Sequence, residues 1–497
     1  MLGEKSREIK IFYYLRPEDL IPSDHILRLI HEHIDFSFIR SKVEHLYSYT
    51  GRPSIDPEVM MRMLLVGYLF GIVSERRLCD EVQMHLGYRW FVGLTLEDKV
   101  PDHSTFSKNR HGRFKQSGIY QEMFDEIVRL CVEKGLVSGT HLTVDSTLVK
   151  ANASFRTLEP IVVQLNPREY LQQVEKENPQ AEEKTDDEPW EPKGDLPYRG
   201  AKLSNQTHRS RVDPDARITR KTKFSETYLG HAVSYLMDNK SRIILGAERN
   251  RPSRRADCET AVELARRIRW VYKFHPKTLG ADKGYASGDF VHELLQDKIQ
   301  PHIPIVDTRR QHEEGIYPLE RFQYDPEQDR FICPEGKTLR YWGIHRSNNQ
   351  RVYRASVRDC GRCPVKAACT RASYRSLSHH IHESSLKTAR ELAKTQSYRL
   401  SQIMRKRVEE LFGEAKEFMG LRRMKFRGAV FVGEQVLLTA MTQNIKRMVK
   451  LLTSRRPKPV PAKVGDMSSS SVNASYRLAH WIFHLMQAKL HCGFLST

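Results

Sequence analysis

No apolar run in this chain is long enough to cross a membrane. The longest, Val59 to Ile72, is interrupted by Arg62, Gly67 and Gly71 and falls short of the ~20 residues a bilayer requires. A signal-peptide pattern is lacking as well, because Met1 to Lys10 leads into Ile11, Phe12 and Tyr13 and then charged residues. These absences predict a cytoplasmic protein in a reducing compartment, without membrane partners. Cysteine is sparse, 8 in 497 residues, and in such a compartment thiols or metal ligands are expected rather than disulfides. No glycine-rich phosphate cradle followed by Lys and Ser or Thr occurs, so ATP-driven chemistry is not expected. Acid is in deficit too. With 61 Asp and Glu against 81 Lys and Arg, the net charge is +20, which favours a polyanionic partner. On charge alone, a soluble basic protein with solvated faces is the equal alternative.

What is present is organised in blocks. At 497 residues the chain is too long for one compact domain. Residues 1 to about 135 read as helical. Asp56 with Pro57 makes a cap and first turn for a helix from Val59 to Phe70. Ser74 caps a second helix, with Leu78, Val82 and Leu86 on one face. Pro101 to Arg110 opens a short basic helix, and such a set suits either a helix-turn-helix reader of DNA or a small bundle with a wet face. His141 to Asp145 is β-branched and alternating, a strand that delivers Asp145 at its end. From about 166 to 217 the periodicity fails, with an acidic, Pro-punctuated stretch from Glu175 to Pro192, and an insertion is expected.

Further on, His231 to Met237 and Arg242 to Gly246 flank a hairpin turn at Asp238, Asn239 and Lys240. A helix through Ala261, Leu264, Ala265 and Ile268 follows, then a strand Thr278 to Asp282, a helix capped by Ser287 and a strand from Pro301 to Val306. Residues 307 to 395 break the pattern with turns, charges and four cysteines. Helices around Glu409 and from Glu434 to Leu452 close the patterned part; beyond Ser454 come a linker and a terminal helix, Tyr476 to Leu490. The order predicts an α/β mixed sheet flanked by helices, preceded by an all-α domain.

Three carboxylates stand out against this frame. Mg²⁺ wants oxygen ligands, and two such ions can activate an attacking oxygen and stabilise a leaving one at a phosphate. Asp145 and Asp282 at strand ends and Glu409 on a helix meet that requirement. Singly, each has a plainer role: either aspartate as a cap, and Glu409 as the partner of Arg405 four residues earlier.

Val144 to Thr147, then Ala281 to Tyr285, then Arg405, Glu409 and Lys416 at spacings of four and seven together resemble the three catalytic blocks of DDE transposases from bacterial insertion sequences, of the IS4-like kind. The resemblance implies an RNase H-like core whose acidic residues come from a first strand, a fourth strand and a late helix. It implies metal binding, Mg²⁺ or Mn²⁺, by Asp145, Asp282 and Glu409, and phosphate contacts by Arg405 and Lys416. One position departs: a Tyr stands three residues before the Arg in the related signature, and here that residue is Gln402. The N-terminal helices resemble the domain preceding the core in a large group of these transposases, through Pro101 to Phe106 and Arg110, and Lys108 and Arg110 are the expected DNA contacts there.

The resemblance thus implies a bacterial, cytoplasmic enzyme acting on double-stranded DNA, at element ends and at a target, as a dimer on DNA. Its expected divisions are a helical domain over 1–135, a first core part over 136–306, a Cys-containing insertion over 307–395 before the last catalytic helix, a second core part over 396–453 and a tail over 454–497. A metal nuclease that cuts without joining, and a DNA-binding regulator built on the same scaffold, are the rival readings.

Cys333, Cys360, Cys363 and Cys369 supply four soft ligands in one insertion, enough for a structural Zn²⁺. Their spacing is not that of a standard ribbon, and free thiols are the alternative. Cys79, Cys131, Cys258 and Cys492 read as small apolar residues.

Overall fold

Between Pro17 and Glu133 the chain is helical: α1 (Pro17–Leu20), α2 (Ile26–His33), α3 (Phe38–Val43), α4 (Pro57–Leu69), α5 (Glu75–Met84), α6 (Leu86–Val92), α7 (His103–His111) and α8 (Ile119–Glu133). The caps are those the sequence announces. Asp56 accepts the Glu58 N–H at 2.8 Å, and Ser74 accepts that of Arg77 at 3.3 Å. The expected second helix divides at His85. Leu78 and Val82 are buried, whereas Leu86 opens α6 and is 38% exposed.

The computed structural model describes residues 16–51, 54–161, 203–305, 316–346 and 349–454. The acidic stretch Glu175 to Pro192, the terminal helix Tyr476 to Leu490 and Cys492 lie outside them, as do parts of the two expected insertions. The described residues up to Leu451 fall within one compact unit.

The larger sheet is built on β1 (His141–Lys150). The short strands β2 (Leu158–Pro160) and β3 (His208–Ser210) pair with each other alone, and β4 (Arg217–Thr219) extends one edge. Then come β5 (Tyr228–Asp238), β6 (Ile244–Asn250), α9 (Arg254–Tyr272), β7 (Thr278–Gly280), α10 (Gly288–Gln296) and β8 (Gln300–His302). Leaving β4 aside, the order across the sheet is β6, β5, β1, β7, β8, with β5 antiparallel to β1 and to β6, and β7 parallel to β1 and to β8. Numbered along the chain, that is three, two, one, four, five. This is the RNase H-like arrangement, with β1 the first strand and β7 the fourth.

Asp145 is mid-strand rather than at a strand end, because β5 pairs with β1 all the way from Leu142 to Lys150. What ends near Asp145 is the other ladder, β1 with β7, which stops at Thr143 opposite Gly280.

A five-stranded antiparallel sheet follows: β9 (Gln323–Asp325), β10 (Arg330–Ile332), β11 (Thr338–His345), β12 (Gln350–Ala355) and β13 (Ser376–His380), with two short helices, α11 (Val357–Gly361) and α12 (Lys366–Cys369), before the last strand. Its small core is Phe322, Phe331, Leu339, Tyr353, Cys369 and Leu377. Four helices close the described chain: α13 (Glu383–Leu392), α14 (Gln396–Arg405), α15 (Arg407–Phe418) and α16 (Ala429–Ser454). The last begins five residues before the expected Glu434, which is buried within it.

Candidate active site

The parallel register decides where the two aspartates stand. Thr143 lies opposite Gly280, so Asp145 and Asp282 are each two residues beyond the last paired position and come level with one another. Side chains alternate along a strand, so Thr143, Asp145 and Thr147 share one face. The helices α14 and α15 cover that face. A Cβ on Gly280 would stand 2.8 Å from the Ser401 hydroxyl of α14, so helix and strand approach closely there and a side chain would force that hydroxyl to turn away.

Gln402, found where the related signature has Tyr, donates from Nε2 to the His302 carbonyl at 2.6 Å and to that of Ala281 at 3.4 Å. It ties α14 to the strand ends beside Asp282. The single helix expected from Arg405 to Lys416 is two. Arg405 ends α14, the chain turns at Lys406, and Glu409 sits in the first turn of α15. Acid is favoured there by the helix dipole.

From Glu409 the helix runs along β1. Phe412 stacks on Tyr235 with centroids 4.5 Å apart, and Tyr235 is the cross-strand partner of Asp145. One turn on, Lys416 Nζ donates to the Thr147 hydroxyl at 2.6 Å and to the Leu148 carbonyl at 3.0 Å. Glu409, Phe412 and Lys416 lie on one helical face, which puts Glu409 at the Asp145 end. Arg405 approaches Glu409 to 3.8 Å; its side chain is 17% exposed and that of Glu409 63%.

Burial pushes the Asp145 carboxyl up to about 6; the Ser146 N–H on its Oδ1 at 2.8 Å opposes this, Asp282 adds to it, Arg405 opposes it and Glu409 adds to it again. Each of the other three charges is therefore felt at Asp145, and acids outnumber cations. Asp282 also has the plain role considered for it, accepting the Gly284 N–H at 2.7 Å to cap the turn Lys283–Tyr285.

As they stand, no three His, Cys, Asp or Glu side chains among the described residues are grouped closely enough to hold a metal ion. The donor set nonetheless suits a hard divalent cation: carboxylate oxygens only, with excess negative charge that such an ion would relieve.

Lys108 is exposed on α7. Arg110, expected to face DNA, does not. It is 4% exposed, bound to Glu75 at 2.7 Å and Glu434 at 3.7 Å, with its guanidinium 4.0 Å from the Phe426 ring. The α7 positions two apart point to different surroundings, and Arg110 lies on the packed side.

None of the four insertion cysteines is in a disulfide. Cys333 Sγ accepts the Lys337 N–H at 3.2 Å, and Cys360 Sγ that of Arg375 at 3.5 Å. Burial pushes the Cys369 thiol up, Arg375 opposes this, and Cys360, Cys333 and Cys363 add to it.

Two family models match the sequence: a Transposase domain (DUF772) over residues 15–112 and a Transposase DDE domain over 332–449. Together they support a DDE transposase. The second match takes in Glu409, Arg405, Lys416 and the four cysteines; the first takes in Lys108 and Arg110; Asp145 and Asp282 lie outside both. The transposase family implies use of a divalent metal. No curated protein matches the sequence. A solved structure of a piggyBac transposase synaptic complex with hairpin DNA aligns over 91% of this chain and 88% of that one, at 11% identity and a TM-score of 0.31, a likeness too slight to carry an argument.

Residue types alone did not reveal the polar groups behind the aspartates. Ser146, Ser234, Tyr285, Asn250 and Asp257 are linked on the far face of the sheet. The one available signal was that Ser146 and Tyr285 belong to the two aspartate blocks.

Proposed function

We propose that this transposase binds the ends of a mobile element in double-stranded DNA, hydrolyses a phosphodiester there, and joins the freed 3′-hydroxyl to target DNA. The observation that supports the reading is that Asp145 and Asp282 come level just beyond the β1–β7 ladder, while Glu409, beside Arg405, opens the helix that packs along β1, so that its charge is felt at Asp145.

Asp145, Asp282 and Glu409 are the residues that would hold Mg²⁺ or Mn²⁺. When bound, the metal supplies a polarised phosphate and a more acidic attacking water. Arg405 neutralises phosphate charge next to Glu409. Lys416 acts less directly, steadying β1 through Thr147 and Leu148, and Lys108 offers an exposed phosphate contact. Joining needs no ATP, since one phosphodiester replaces another. Two ends must be held together, which makes a dimer on DNA the working assembly, and the Arg405, Glu409 and Lys416 spacing supports the IS4-like subgroup. The four cysteines are proposed to take one structural Zn²⁺; zinc analysis of the purified chain decides between that and free thiols.

Inverted repeats flanking the reading frame define the substrate. With that DNA, wild type is expected to cut only with Mg²⁺ or Mn²⁺, and Asp282→Asn and Glu409→Gln are expected to bind it without cutting. Cleavage that survives both substitutions would sink the assignment. A pre-cut end that is never joined marks a nuclease, and binding with no cleavage in wild type marks a regulator.

A further inference from the structure

Main-chain bonding between β1 and β7 ends at Thr143 and Gly280, two residues short of both aspartates. The spacing of the backbone segments that carry Asp145 and Asp282 is therefore not fixed by the ladder itself. Something beyond it has to do so, because carboxylates that share metal ions must be held to within fractions of an ångström.

One cross-link spans this gap. Ser146, next to Asp145, directs its hydroxyl to the sheet face opposite the carboxylates. Tyr285 ends the turn that Asp282 caps. Their hydroxyl oxygens are 2.7 Å apart, and the Ser146 hydroxyl is also 2.6 Å from that of Ser234 on β5, its partner in the ladder. The chain of bonds continues inward. Asn250 Nδ2 donates to Ser234 Oγ at 3.2 Å and to Asp257 Oδ1 at 2.9 Å, in the first turn of α9.

Tyr285 is 3% exposed, Ser234 0% and Asn250 6%, so water does not compete for these groups. The Tyr285 ring packs on Phe290 of α10, with centroids 5.7 Å apart. Ring packing anchors the residue, and a phenylalanine would keep that packing. Only the hydroxyl reaches across to the Asp145 segment.

We infer that Tyr285 is a positioning residue of the carboxylate site, its buried hydroxyl clasping Ser146 to set the distance between the Asp145 and Asp282 segments. The inference rests on the reading of Asp145 and Asp282 as joint metal ligands. Groups that orient metal ligands from behind typically change metal affinity about 10- to 100-fold when removed. Loss of the Tyr285 hydroxyl leaves Ser146 paired with Ser234, so no buried hydroxyl is stranded and the fold is expected to persist.

The test uses the full-length chain as wild type, Tyr285→Phe, Ser146→Ala, the double variant and Asp282→Asn. Mn²⁺ binding is measured directly, from the electron paramagnetic resonance of free Mn²⁺, alongside thermal melts. Tyr285→Phe is expected to weaken Mn²⁺ binding about 10- to 100-fold with an unchanged melting temperature. Ser146→Ala should weaken Mn²⁺ binding as much but also lower the melting temperature, because it strands the buried Tyr285 hydroxyl. The double variant should recover that stability while binding Mn²⁺ no worse than the weaker single variant, because both remove the same bond. Unchanged Mn²⁺ binding in Tyr285→Phe overturns the inference. So does weakening that only follows a lowered melting temperature and adds up in the double variant. If wild type binds no Mn²⁺, or Asp282→Asn binds it as wild type does, the carboxylate reading itself has failed, and that result is distinct from failure of the clasp.

Discussion

Two of the half-buried charge clusters among the described residues are built on opposite plans. In one, Arg110 and Lys425 meet Glu75 and Glu434: Arg110 lies 2.7 Å from Glu75 and 3.7 Å from Glu434, and Lys425 3.1 Å from Glu75. Two cations face two acids, and the cluster is closed. Burial works against the Glu75 carboxylate, yet Arg110 and Lys425 bring it below its ordinary value. In the other, Asp145, Asp282 and Glu409 share one nearby cation, Arg405, and Asp145 is pushed up to about 6. A balanced cluster ties helices together. An unbalanced one, buried at Asp145 and open to solvent through Glu409, keeps excess negative charge that an incoming cation would relieve, the pattern expected of the proposed metal site.

Asp145→Asn tests that contrast hardest. It should cut DNA cleavage by about a thousandfold or more, since a bound metal is worth several kcal/mol at the transition state, while the melting temperature in metal-free buffer holds or rises because the repulsion is gone. A variant that unfolds instead would make the aspartate structural and erase the difference between the clusters. Arg110→Met should do the reverse. Removing one member of a buried pair leaves acid uncompensated and costs about 3–5 kcal/mol, read by urea unfolding; stability within error of wild type would show that the closed cluster ties nothing together.

How much of this could be read in the sequence follows the same divide. The three acids could be proposed from residue type and from their likeness to the DDE blocks, but Asp145, expected at a strand end, stands mid-strand because β5 pairs with β1 through to Lys150. The pattern strand, hairpin, helix, strand, helix, strand predicted a mixed sheet flanked by helices, whereas its RNase H-like form was implied by the resemblance and its strand order is set by pairings between distant segments. The role of Arg110 was not legible. Lys108 and Arg110 look equivalent in a basic helix, and only packing against Glu434, more than 300 positions along the chain, distinguishes them. The break at Lys406 was equally hidden, since Arg405 and Glu409 keep their helical spacing across it. Gln402 appeared as a loss against the family signature, and its bonds to the His302 and Ala281 carbonyls depend on contacts that no local pattern announces.

A smaller effect separates the two acids of the closed cluster. Burial pushes Glu434 up to about 7 although Arg110 opposes it; at 3.7 Å the pair is not hydrogen-bonded. The folded chain therefore keeps a proton on Glu434 that the unfolded chain releases near its ordinary value of 4.5. The folded form binds more protons in that window, so stability falls as pH rises from about 4.5 to 7. Glu434→Gln should remove this slope and gain about 1–3 kcal/mol at pH 8, measured by unfolding at several pH values. A variant with the wild-type pH profile would place the titrating group elsewhere.

Lys108 carries the smallest expected effect and the sharpest contrast with its neighbour. It stands exposed on α7 two residues from the buried Arg110, so its loss should leave folding untouched. If it meets a phosphate, Lys108→Ala should weaken binding to every DNA sequence alike and lower the slope of log affinity against log salt by about 1. Filter binding or fluorescence anisotropy over a range of salt reads both quantities. An unchanged salt slope would remove α7 from the DNA-binding surface and leave this helix with a packing role alone, because Arg110 on its other side is already committed to Glu75 and Glu434.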